Sequence, residues 1–156
     1  MDLSEQMRSL VEYDGWANER IWTCVDGLDD AQFTSAPLTR VRSIAETLAH
    51  ALGTRVWWLS RWKGHDFVMP DISTLDCLRA AYGTVHTELA EFAGGVDAEG
   101  WSTTFDAFGP KQPLSAILAQ VMLHGVQHRA ELAAMLSAVG RSPGDLDYIF
   151  FLRERA

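Results

Sequence analysis

Four stretches of this chain advance their inward residues in alternating steps of three and four, the spacing that keeps one stripe of an α-helix turned toward a neighbour. The first runs Leu3, Met7, Leu10, Asp14, Ala17, Ile21, Cys24, Leu28, with Asp14 intruding on an apolar seam. The second, from about Ser43 to Lys63, carries Ile44, Leu48, Leu52, Arg55, Leu59 and Trp62 and stops at Gly64. Ser73 or Thr74 caps the third, whose stripe Leu75, Leu78, Tyr82, Val85, Leu89, Phe92, Val96 ends beside Gly94-Gly95. The fourth takes Pro113 into its first turn, follows Leu114, Leu118, Val121, Gly125, His128, Leu132, Met135 and Val139, and ends at Gly140.

Four such helices in 156 residues predict an all-α four-helix bundle forming one domain over residues 1–156. The connectors before the second and fourth helices exceed the usual 2–8 or so residues of a helix hairpin, so at least one is expected to cross the bundle. The order of directions stays open. Trp101–Phe105 alternates enough for a short extended piece, and the apolar tail Asp145–Leu152 suits docking on the bundle or at an interface.

A net charge of −8 and the lack of a basic stripe speak against nucleic acid. No apolar run approaches the roughly 20 residues of a membrane span, and MDLSEQMRSL is not a signal peptide, so a cytoplasmic protein without a membrane partner is expected. Cys24 and Cys77 have no CxxC spacing and read as small core residues. The surplus of large aromatics in the first two helices, together with the apolar tail, predicts a homodimer.

The chemistry concentrates in Val121–Leu132, VMLHGVQHRAEL. On a helix, His124 and His128 lie one turn apart on the inner side, where two imidazoles either converge on a metal ion or find hydrogen-bond partners in the core. For a third ligand, His65 follows Gly64 in a loop and His86 flanks the stripe of the third helix. His50 sits about 160° from Leu48, off the main stripe, although it shares a face with Trp57. Periodicity alone makes His50 a surface residue unless its helix buries two faces. Glu131 is the nearest acidic group, either a ligand, a support for an imidazole, or a solvated ion-pair partner.

Several enzyme classes lack their residues. A zincin needs Glu directly after the first histidine, where Gly125 stands, and a di-iron bundle needs Glu-x-x-His pairs absent from both helices. There is no GxSxG elbow, no GxGxxG and no Walker loop. No catalytic residue beyond a metal can be assigned.

Tyr13-Asp14-Gly15-Trp16-Ala17-Asn18, a histidine in the second helix, His124-x-x-x-His128-Arg129 and the closing Asp145–Arg153 together resemble the DinB-like family of bacterial four-helix metalloproteins over nearly the whole chain. The resemblance implies one divalent metal ion, zinc or nickel, on His50, His124 and His128. It is the resemblance that selects His50. Asp14 stands where the family frequently has Asn, and Ala130 where it often has Gly. The resemblance further implies transfer of a low-molecular-weight thiol co-substrate onto a small electrophilic substrate. Its family name refers to damage induction, a link to stress response rather than DNA binding. The alternatives are a metal-binding bundle without turnover that works through dimerisation or a partner, and a metal-dependent hydrolase.

Overall fold

A computed structural model describes residues 1–38 and 42–156. Its elements are α1 (Leu3–Val25), α2 (Asp30–Thr34), α3 (Ile44–Lys63), α4 (Leu75–Gly95), a 3-10 turn at Gly100–Ser102, β1 (Thr104–Phe105), β2 (Gln112–Pro113), α5 (Leu114–Ala138) and α6 (Tyr148–Glu154). The long helices α1, α3, α4 and α5 are the four expected from the stripes, and they make an all-α bundle.

Their ends follow from side-chain chemistry. Asp2 and Ser43 each accept the N–H of the third helical residue, and Glu5 and Glu46 reach back to the cap, so both first turns are closed reciprocally. Thr74 caps α4 by accepting the Cys77 N–H. Gly64 takes the left-handed conformation, φ 69°, that ends α3. Pro113 lies one residue earlier than expected: it is the extended cap of α5, with ψ 149°, because it still pairs with Thr104 in the small antiparallel ribbon.

The core divides into two apolar clusters that give the helix directions. Met7, Trp58, Leu89 and Leu118 meet at one end, and Val25, Leu48, Leu78 and Leu136 at the other. The start of α1 therefore lies with the end of α3, the end of α4 and the start of α5. Thus α1 and α5 run parallel to each other and antiparallel to α3 and α4. Helix α1 packs on α4 and α5, as does α3, which leaves α1 diagonal to α3 and α4 diagonal to α5. The lengths of the two connectors predict that at least one crosses the bundle; both instead join diagonal helices at one end. The full-length crossover is residues 64–74, and its Met69 and Ile72 pack along the core.

The tail folds back on its own chain. Tyr148 and Phe151 pack edge-on against Tyr13, and the Tyr13 hydroxyl donates to the Leu146 carbonyl at 2.7 Å. Cys24 and Cys77 are half-buried rather than core residues, since both lie at the margins of their helices' packed faces.

Asp14, completely buried, ties three helices together. It accepts from Arg55 Nε at 3.1 Å and Nη2 at 2.8 Å on α3, and from Arg129 Nη1 on α5. Asn18 adds a donor to the same carboxylate at 3.0 Å. Burial works against this charge, yet the two guanidiniums hold the carboxyl well below the usual carboxylate range. The cluster needs Gly125: a Cβ there would stand 2.8 Å from both Arg55 Nη2 and Asp14 Oδ1 and 3.0 Å from Arg129 Nη1.

Replacing Asp14 by Asn should therefore cost about 3–5 kcal/mol at neutral pH, because two buried guanidiniums lose their counter-charge. A depressed carboxyl contributes stability that is present above its unfolded value of about 3.9 and lost as pH falls toward its folded value. Urea unfolding across pH should thus show a steeper acid decline in the wild type than in Asp14→Asn. Gly125→Ala should lower the midpoint as well, by crowding the same three groups; wild-type stability in both variants would remove the ion cluster from its structural role.

Candidate metal centre

The i, i+4 spacing on α5 brings His124 and His128 together as helix geometry requires, with ring centroids 4.3 Å apart. Across the α3–α5 contact, the His50 ring lies 5.2 Å from His124 and 4.8 Å from His128. One nitrogen from each of the three converges within 4.8 Å of the others. His65 follows α3 in an exposed turn, and His86 packs on Gly15 at the α1–α4 contact, so neither joins the cluster.

The three imidazoles step outward from the core. His128 is buried, His124 half-buried and His50 exposed at the rim. Both sides of the sequence reading for His50 hold in part: it lies off the core stripe, yet its ring faces the other two. Its helix does present a second face, because His50 and Trp57 line the same cavity.

His128 Nδ1 is 2.7 Å from Glu131 Oε2. Burial would raise the Glu131 carboxyl, but the hydrogen bond from His128 holds it below its usual value, so it stays an acceptor. An ionised carboxylate can only accept, so Nδ1 carries the proton of this hydrogen bond and Nε2 is the ring nitrogen that faces His124. Glu131 thus orients the His128 ring from behind and does not stand among the converging groups. Burial, with His128 and His50 next, pushes His124 down to about 4, and burial followed by Arg42 lowers His50. Both favour the neutral form, the one that can bind a metal.

The donor set fits a divalent ion. The Nε2 atoms of His124 and His128 are 3.1 Å apart, close to the roughly 3.3 Å between two nitrogens at tetrahedral positions about 2.05 Å from zinc. Three histidines leave a fourth position, and the space beyond them is open. A cavity of about 950 Å³ takes His50 and His124 into its wall beside Thr54, Trp57, Trp58 and Phe108. No Asp, Glu, Lys or Arg is among its described lining residues.

Two features went unread in the sequence. The cavity wall from the 106–111 turn between β1 and β2 had no signal beyond weak alternation. The ion cluster had one: Asp14 and Arg55 are opposite charges in two inward stripes, and such charges pair when buried.

A profile described as the DinB family matches residues 3–155. A crystal structure of a conserved protein from Enterococcus faecalis shares the fold, with a TM-score of 0.74 at 13% identity, covering 89% of this chain and 98% of that one. No curated protein matches the chain.

Because Glu131 sets the His128 tautomer, Glu131→Gln should weaken zinc binding about 10–100-fold while leaving the fold intact. Competition with a calibrated chelator measures this, and unchanged affinity would reduce Glu131 to a surface acid.

Proposed function

This chain belongs to the DinB family, and from that premise we propose that it holds one divalent ion, zinc or nickel, on His50, His124 and His128 and transfers a low-molecular-weight thiol onto a small electrophile. The observation that carries the reading is the convergence of three imidazole nitrogens at the wall of a large apolar cavity. When bound to three neutral imidazoles, such an ion keeps its full charge and an open position and renders a coordinated thiol a thiolate.

The protein's own groups supply the rest. His50 and His124 border the cavity, so a thiol held beside these imidazoles would lie next to the space that takes the electrophile. Apolar walls thin out competing water, and Thr54, Gln112 and Gln120 offer hydrogen bonds to an otherwise uncharged substrate. The thiol's proton passes to solvent at the open rim, and the sulfur lone pair forms the new S–C bond as the electrophile's leaving group departs with its electron pair. With a conjugated acceptor nothing leaves, and the carbon adjacent to the one attacked takes a proton back from solvent.

The reading is favoured over a bundle without turnover because the open side of the cluster faces a cavity rather than packed protein. Hydrolysis is less well served, since no carboxylate is among the cavity's described lining residues to act as general base.

Elemental analysis of tag-free protein should find one zinc or nickel per chain, and most of it should be lost in His50→Ala, His124→Ala and His128→Ala. Metal-loaded wild type should consume a low-molecular-weight thiol with a panel of electrophiles, and His124→Ala should not. Full occupancy in His50→Ala would remove the third ligand from the assignment; full occupancy in the wild type without thiol consumption would leave a metal-binding bundle with no transfer.

A further inference from the structure

Resting on the transfer reading for the site itself, we infer that the cavity's substrate is a planar, uncharged aromatic molecule whose ring takes the face of Trp57 now covered by Phe108. The inference stands on the cavity wall and not on the histidines.

Phe108 sits in the 106–111 turn joining β1 to β2, held by the pairs Thr104–Pro113 and Phe105–Gln112. Its ring lies parallel to Trp57, at 10° and 5.2 Å between centroids, and edge-on to Trp58 at 6.0 Å. Trp57 and Trp58 themselves meet at 81°. This makes a corner, one ring for stacking and one for edge contact, the two arrangements aromatic rings prefer.

The occupant of that corner is loosely held. Phe108 is 88% exposed, so most of its surface gains nothing from the position. Its φ of 58° is in the left-handed region, which a residue with a side chain rarely adopts, and it is the only non-glycine residue with positive φ among the described residues. An exposed aromatic residue in an unfavourable backbone state, stacked at the mouth of an apolar cavity, is easily displaced by a ring that fits better.

The lining sets the substrate's charge. With no formally charged side chain on the cavity's described walls, an ionic substrate would lose its hydration without a partner. Thr54, Gln112 and Gln120 allow a neutral polar substituent, such as a carbonyl, to be hydrogen-bonded at the periphery. The thiol's polar body therefore belongs at the open rim beside His50, and the flat electrophile belongs inside.

Calorimetric titration of metal-free and zinc-loaded protein with N-methyl-2-naphthamide tests this without thiol or turnover. The naphthamide should bind at least tenfold more tightly than its decahydro analogue and than a sulfonated naphthamide. Trp57→Leu should weaken naphthamide binding about tenfold and leave the decahydro compound nearly unchanged. Phe108→Gly, an exposed site where glycine suits the backbone, should tighten naphthamide binding severalfold and speed association in stopped flow. Equal affinity for flat and saturated ligands, preference for the sulfonate, no binding at all, or weaker binding in Phe108→Gly would each overturn the inference. Naphthamide binding by a protein that consumes no thiol would leave the aromatic seat standing and sink the transfer reading; thiol transfer with equal ease onto saturated electrophiles would do the reverse.

Discussion

Asp14 is the point from which the bundle's register is set. A carboxylate with no exposure, held by guanidiniums from two other helices, tolerates little sliding, because any shift strands a charge in the core. Such a cluster is a weak source of net stability, as desolvation offsets most of the attraction. Its effect is on geometry. Arg55 lies five residues after His50, Gly125 directly follows His124, and Arg129 directly follows His128. The residues that grip Asp14 are thus interleaved with the imidazoles, and aligning the ions aligns the histidines.

The same cluster shapes the field at the site. One carboxylate against two guanidiniums leaves a net positive charge buried beneath the imidazoles, and Arg55 is among the causes that lower His124. Positive charge opposes protonation of a nearby imidazole and favours a negatively charged group on the far side. Tyr82, whose hydroxyl donates to the Leu48 carbonyl at 2.8 Å, is pushed up to about 12 by its burial beside the cluster and stays neutral. Donor and acceptor accounts are less complete around Arg129, whose Nε and Nη2 have no hydrogen-bond partner among the described residues and whose guanidinium lies 5.3 Å from the centre of the Tyr13 ring. The aromatic face adds to the hydrogen bonds that Nη1 makes with Asp14 and Asn18.

How far the sequence shows all this depends on the range of each interaction. Helix starts at Ser43 and Thr74 and the stop at Gly64 are local, settled by groups within a few residues, and they were readable. So was the His124–His128 pair, because one helical turn determines it. Helix direction was not, since it depends on which side chains meet across the core. The crossover at 64–74 has no turn chemistry that distinguishes it from a loop. His50 is the instructive case: its position off the stripe was read correctly, but periodicity measures burial against the main core, and a residue facing a cavity registers as exposed. Asp14 and Arg55 were visible as charges out of place, although their pairing is a long-range fact that only the packed bundle supplies.

With no formally charged side chain among the cavity's described lining residues, selectivity on the proposed reading would come from shape and from aromatic surface. Glu131 is engaged behind His128 and Asp14 is locked in the ion cluster, so neither carboxylate reaches the cavity as a base. Under the proposed transfer, the nucleophile would therefore have to bring its own acidic proton and lose it easily, a demand that a thiol meets far more readily than an alcohol or an amine. The electrophile of that proposal would meet no formally charged side chain among the described lining residues and would be sorted by how well it lies against Trp57 and Trp58. On the proposed transfer, such a site would divide its labour: three nitrogens aligned by helix register would select the attacking atom, and the indoles lining the cavity would select what it attacks.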